Sequence, residues 1–126
     1  MPEEVKGSIL TSIRDAIGLP SGDSSFDSDL IMHINTFLGV LTQVGTGRPD
    51  VLIKDATTTW EDFLDPEMNT DSIFHSAKTY VLINVKMIFD PPTPTSQQYM
   101  KQSSDELLWR LTVAEDEVKR RKEEVT

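Results

Sequence analysis

The run Ala77-Lys78-Thr79-Tyr80-Val81-Leu82-Ile83-Asn84-Val85-Lys86-Met87-Ile88-Phe89 is apolar on nearly every side and stops at Asp90-Pro91-Pro92. At about 100° per residue, Ile73, Ala77, Tyr80, Val81, Met87 and Ile88 form one face of a helix, while Leu82, Ile83, Val85 and Phe89 fall well outside it. One amphipathic stripe leaves the second set uncovered. A chain of 126 residues has room for one core and buries somewhat under ~70% of its unfolded surface. The surplus therefore predicts that Leu82, Ile83 and Phe89 meet another subunit. Residues 80–89 alone are β-branched and aromatic enough to read as a buried strand, but length favours a helix starting at Asn69 or Thr70 and ending at Phe89.

The neighbouring segments also read as helices. Val5, Ile9, Leu10, Ile13 and Ile17 keep helical spacing over 3–17, and Gly18-Leu19-Pro20 is a strong stop: a left-handed residue, an apolar residue to fold back on the last turn, then a residue that cannot continue the ladder. Leu30, Ile31, Ile34, Phe37, Leu38, Leu41 and Val44 form a nearly complete i, i+3, i+4, i+7 series ending at Gly45. Ser25 or Asp27 can cap this helix, and Asp27 and Asp29 suit the positive end of its dipole. Residues 46–58 form the longest connection. They carry Arg48, Val51, Leu52, Ile53 and Lys54 without helical spacing, and have room for a short strand or β-hairpin. We expect this loop to face the partner or channel side, the alternative being that its apolar patch packs back on the core. Thr58 or Thr59, three residues before Glu61 or Asp62, marks a capping box for a brief helix halted at Asp65-Pro66.

Residues 91–95 are proline-rich and read as a stiff, extended linker. Beyond it, 96–126 holds a helix of about 25 residues, beginning at Ser96. Met100, Leu107, Leu111, Ala114 and Val118 share one face of this helix, and Trp109 and Val113 lie roughly opposite. Glu115, Asp116 and Glu117 each precede a base by four residues, the favourable order for intrahelical pairs. The predicted fold is thus all-α: a helical core over 1–90, the linker at 91–95 and the long C-terminal helix at 96–126, forming a single domain overall. Trp109, Val113 and Leu108 are the candidate interface residues on the last helix, since buried tryptophans are enriched among binding hot spots; the alternative for Trp109 is that it lies against a neighbouring loop.

Charge and chemistry narrow the function. A net charge of −9 repels a phosphate backbone and argues against a DNA-gripping surface; it fits an ordinary acidic protein or a wall past which DNA slides. The one basic run, Lys119-Arg120-Arg121-Lys122, is flanked by acids that neutralise it. There is no cysteine, so disulfides, thiolate metal sites and cysteine nucleophiles are ruled out. His33 and His75 are isolated, lacking a second metal-type ligand or a serine motif. Gly45 to Gly47 is too short for a phosphate-cradling loop. We therefore expect no enzyme, cofactor or metal. No apolar window has the length of a membrane span.

Five segments in order resemble the small helical head-tail connector, or adaptor, proteins of tailed bacteriophages. They are Ile9-Leu10-Thr11-Ser12-Ile13 with Gly18-Leu19-Pro20; Ser25-Phe26-Asp27-Ser28-Asp29-Leu30-Ile31 with His33-Ile34-Asn35; Trp60-Glu61-Asp62-Phe63-Leu64; Lys78-Thr79-Tyr80 with Phe89-Asp90-Pro91-Pro92; and Glu106-Leu107-Leu108-Trp109-Arg110-Leu111. The charged stretch Glu115 to Glu124 is longer than that pattern. The resemblance implies an all-helical virion subunit of the neck, made in the host cytoplasm. It would form a ring, typically twelvefold, under the portal protein, with a stopper or tail-completion protein below and DNA passing through without sequence-specific binding. The competing readings are an acidic helical regulatory module that binds a partner helix and a small hydrolase without a recognisable motif. A ring needs two different complementary surfaces on every subunit, and the two faces of the last helix favour it.

Overall fold

In the computed structural model, which describes residues 7–19 and 25–125, five α-helices and one short 3-10 turn pack around a single apolar core. The helices are α1 (Ile9–Ala16), α2 (Asp27–Gln43), α3 (Trp60–Phe63), α4 (Asp71–Phe89) and α5 (Pro94–Val125), with the 3-10 turn at Pro66–Met68. The all-α expectation is met.

Helix α1 begins later than its periodicity predicts, because Ser8 caps it with a side-chain oxygen that accepts from the Thr11 N–H; Val5 lies outside the described residues. Its end follows the expected stop. Gly18 takes a left-handed φ of 85°, the Leu19 N–H reaches the Arg14 carbonyl, and Leu19 packs against the core. Phe26 occupies the cap position of α2 and makes no side-chain cap bond. The Asp27 carboxylate is turned instead toward Arg14, whose Nη2 lies 2.7 Å from both of its oxygens, joining the end of α1 to the start of α2. Gly45, at φ 88°, closes α2, and the Glu115 side chain lies where a Cβ would stand. A larger residue there would be strained in backbone and blocked by α5.

The 46–58 loop contains no strand, and the described residues show only two isolated bridges, Ser8 with Thr59 and Gly47 with Leu64. Asn35 explains why Ile53 needs no strand partner. Its carboxamide donates to the Ile53 carbonyl at 3.0 Å and accepts from the Ile53 N–H at 2.8 Å, so a side chain on α2 satisfies both backbone groups of the loop's buried residue. Asn35→Ala should therefore leave a donor and an acceptor without their protein partners. At about 1–3 kcal/mol for each group that stays buried, a loss of roughly 2 kcal/mol is expected, with cleavage at Lys54 accelerated. Thermal melts and limited proteolysis check it, and an unchanged melt would show that water replaces the carboxamide.

Helix α4 starts at its Thr70 cap as expected and forms the centre of the molecule, packing on α5, on α2 and, to a lesser extent, on α1. Neighbours within the chain therefore account for much of its apolar surplus: Leu82 and Phe89 are half-buried against the core. The extended linker is shorter than predicted. Only 91–93 remain outside helix, since Thr93 caps α5 through the Ser96 N–H and Pro94 fits the first helical turn, where its missing N–H costs nothing. Helix α5 consequently has 32 residues and folds back along α4 instead of standing away from it. Leu111 is sealed in the core, and buried Ser104 accepts from Asn84 at 2.8 Å across the α4–α5 seam. Lys122 pairs with Glu67 at 2.7 Å, tying the far end of α5 to the 3-10 turn.

Candidate functional site

Two kinds of surface stand out from this scaffold, an outward face of α5 and an open groove beside it. Helix α5 buries one face on α4, the face that carries Leu111 and Ser104. On the other side Trp109 is 66% exposed and Tyr99 is 67% exposed. Val113, one turn from Trp109, is half-buried, and Leu108 packs partly against the core. Glu106 and Arg110 flank Trp109 and pair with each other on the exposed surface. Farther along, Glu115 pairs with Lys119 and Glu117 with Arg121, two of the predicted intrahelical pairs. The surface separates the predicted interface residues: Trp109 projects, Ile83 and Val113 are partly covered, and Leu82, Phe89 and Leu108 serve the core as well.

The 46–58 loop is divided in the same way. Ile53 is 1% exposed and belongs to the core, Val51 is half-buried against it, Lys54 is exposed, and Leu52 projects at 55% exposure. Arg48 is tethered by its own chain, since its backbone N–H donates to the Phe63 carbonyl at 2.7 Å and its Nε to the Leu64 carbonyl at 3.0 Å. The apolar patch is thus divided, with Ile53 and Val51 packed on the core and Leu52 left outside it.

The groove escaped sequence reading. About 670 Å³ of open space lies between α2 and the α4–α5 pair, lined in part by Phe37, Tyr80, Met87, Ile88, Lys101 and Asp105. Ile88 and Met87 sit on the stripe that periodicity assigns to the core, so nothing in the spacing marks them as exposed. Ile88 is nevertheless 44% exposed, whereas Phe89 beside it in the same turn packs against the core. At the same end Phe26 and His33 meet the Phe89 ring edge to face, at centroid distances of 6.4 and 5.7 Å.

The perturbed titratable groups have structural causes. Burial, and after it the Asp105 carboxylate, pushes the Tyr80 hydroxyl up. Lys122 is held up by its hydrogen bond to Glu67. A hydrogen bond from the Thr57 side chain lowers Asp55. Asp62 is lowered first by the Thr59 backbone N–H and then by the Thr59 side chain, which complete the capping box of α3. Among the described residues no group of three or more His, Cys, Asp or Glu is placed to hold a metal ion.

The Asp62 shift carries a pH prediction. Its folded carboxyl binds a proton less readily than an unfolded aspartate of ordinary value 3.8, so the unfolded state takes up protons first as pH falls and stability drops with it. The contribution is present above 3.8 and lost as pH falls through the lower folded value. Asp62→Asn should be less stable than the parent at neutral pH, and the difference should close below that window. Melts of both proteins from pH 7 to pH 2.5 test this; a constant difference would assign the effect to packing.

What fold and surface define is a small all-α protein with large aromatic and aliphatic side chains left uncovered on helices around a closed core. The chain matches the phage connector protein family over residues 9–118 and belongs to it. This is the head-tail connector family that the sequence resembles, a family of structural proteins. No curated protein and no solved structure gives a significant match. No helix among the described residues is long and apolar enough to cross a membrane.

Proposed function

We propose that the chain is a structural subunit of the virion neck, forming a ring beneath the portal protein through which DNA passes and to which a stopper or tail-completion protein attaches. The observation that carries this reading is the division of α5: one face seals the core, while Trp109 on the other is 66% exposed beside a largely charged surface. An indole left this open in a free subunit is a natural anchor for a partner. The net charge of −9 supports passage without adhesion, since an acidic lining repels phosphates. The ring would be twelvefold by the resemblance, with the portal and the stopper on opposite sides.

Electron microscopy of purified particles decorated with an antibody to this chain tests the proposal. Label confined to the head-tail junction is the expected result. Label absent from particles, or spread over the capsid or tail tube, would overturn it.

A further inference from the structure

Helix α5 carries both an open groove along one side and an exposed indole, Trp109, one turn beyond it. Phe37 and Tyr80 meet edge to face at 6.2 Å inside the groove, and Met87 and Ile88 add an apolar wall. Its volume of about 670 Å³ is ample for one aromatic side chain, and the groove is open, with Asn84, Gln97, Gln98 and Ser104 adding polar groups to the lining. On its rim stand Lys101 and Asp105, four residues apart on α5. One turn beyond Asp105, Trp109 projects beside the Glu106–Arg110 pair, whose side chains are 60% and 61% exposed.

We infer that Trp109 of one copy seats in this groove of the next copy, an inference that rests on the ring reading and names the contact that would build the ring. A concave and a convex surface on the same chain make a head-to-tail contact possible, the kind that closes into a ring when the rotation allows. Charge order selects the orientation. Along α5 the groove rim reads positive then negative, Lys101 then Asp105, whereas the flanks of Trp109 read negative then positive, Glu106 then Arg110. Helices running in the same direction set Lys101 against Glu106 of the next copy and Asp105 against its Arg110. Reversing one helix pairs Lys101 with Arg110 and Asp105 with Glu106, like against like, which is unfavourable. Neighbours related by a small rotation about a ring axis run in nearly the same direction, so this pattern suits a ring better than an antiparallel two-fold pair.

The chain has no cysteine, so the contact can be trapped without background. A Lys101→Cys, Glu106→Cys double variant keeps Trp109, and its two thiols, about 140° apart on one helix, cannot reach each other within a chain. Oxidation is carried out on the purified chain at high concentration and raised salt, where acidic repulsion is screened, and on assembled particles. A ladder of three or more linked chains in either sample is the expected result; only single chains, or nothing beyond linked pairs, in both would overturn the contact. Trp109→Ala in this background should reduce the linked fraction about tenfold or more, and an undiminished ladder would exclude Trp109 as the anchor. As a second measurement, Lys101→Glu and Glu106→Lys should each weaken assembly and together restore it; failure of restoration with both proteins folded counts against the charge pairing. The connector reading is judged separately. Absence of the chain from particles defeats that reading even when the purified chain gives a ladder, whereas presence in particles without a ladder defeats only the contact.

Discussion

Trp109→Ala should leave the melting temperature of the isolated chain nearly unchanged while tail attachment fails. The indole is 66% exposed and caps no part of the core, and surface changes away from core, caps and buried networks usually stay within about 0.5 kcal/mol. Truncating a central interface anchor costs about 2 kcal/mol or more, and in a ring the loss recurs at every subunit contact. Calorimetry of the free chain beside electron microscopy of particles from a complementation assay gives both numbers. A strongly lowered melt with heads and tails still joined would place Trp109 in the folding of the subunit and remove it from the interface.

The opposite outcome is expected for the other tryptophan. Trp60 is fully buried, its Nε1 donates to the Ser12 hydroxyl at 2.9 Å, and its ring meets Phe74 at 5.9 Å. It therefore holds α1, α3 and α4 together from a helix of only four residues. Trp60→Ala should cost about 3–5 kcal/mol through the cavity it leaves. Against a total stability of ~5–15 kcal/mol, that would lower the melt by roughly 10–20 °C at this chain length. A shift of only a few degrees, with the helical circular dichroism signal retained, would mean that the site collapses around the missing ring.

The two tryptophans show how far local pattern reaches. Trp109 is visible in the sequence because α5 is long and regular, so an apolar residue set against the main stripe has a definite direction. Trp60 stands in a four-residue helix where periodicity cannot operate, and its central place becomes visible only when α1 and α4 close over it. The same reasoning applies to Asn35. An asparagine on a helix gives no local sign that its carboxamide will serve as the missing strand for Ile53, eighteen residues away.

What the sequence by itself determined is the set of helices, most of their ends and the two-faced character of α5. These depend on interactions within a turn or two: the Gly18-Leu19 closure, the Thr59 and Thr70 caps, and the 3.6-residue spacing of apolar side chains. Only the tertiary structure decided which neighbour covers each apolar face. The surplus on α4 pointed to another subunit, yet α5 returns after a four-residue connection and shields part of it, because Pro94 can begin a helix as readily as it can extend a linker. Ile88 and Met87, on the stripe read as core, line an open groove, whereas Phe89 in the same turn is packed on another side of the helix. Periodicity gives the direction of a side chain from its helix axis, but whether another helix lies in that direction depends on where the rest of the chain is packed.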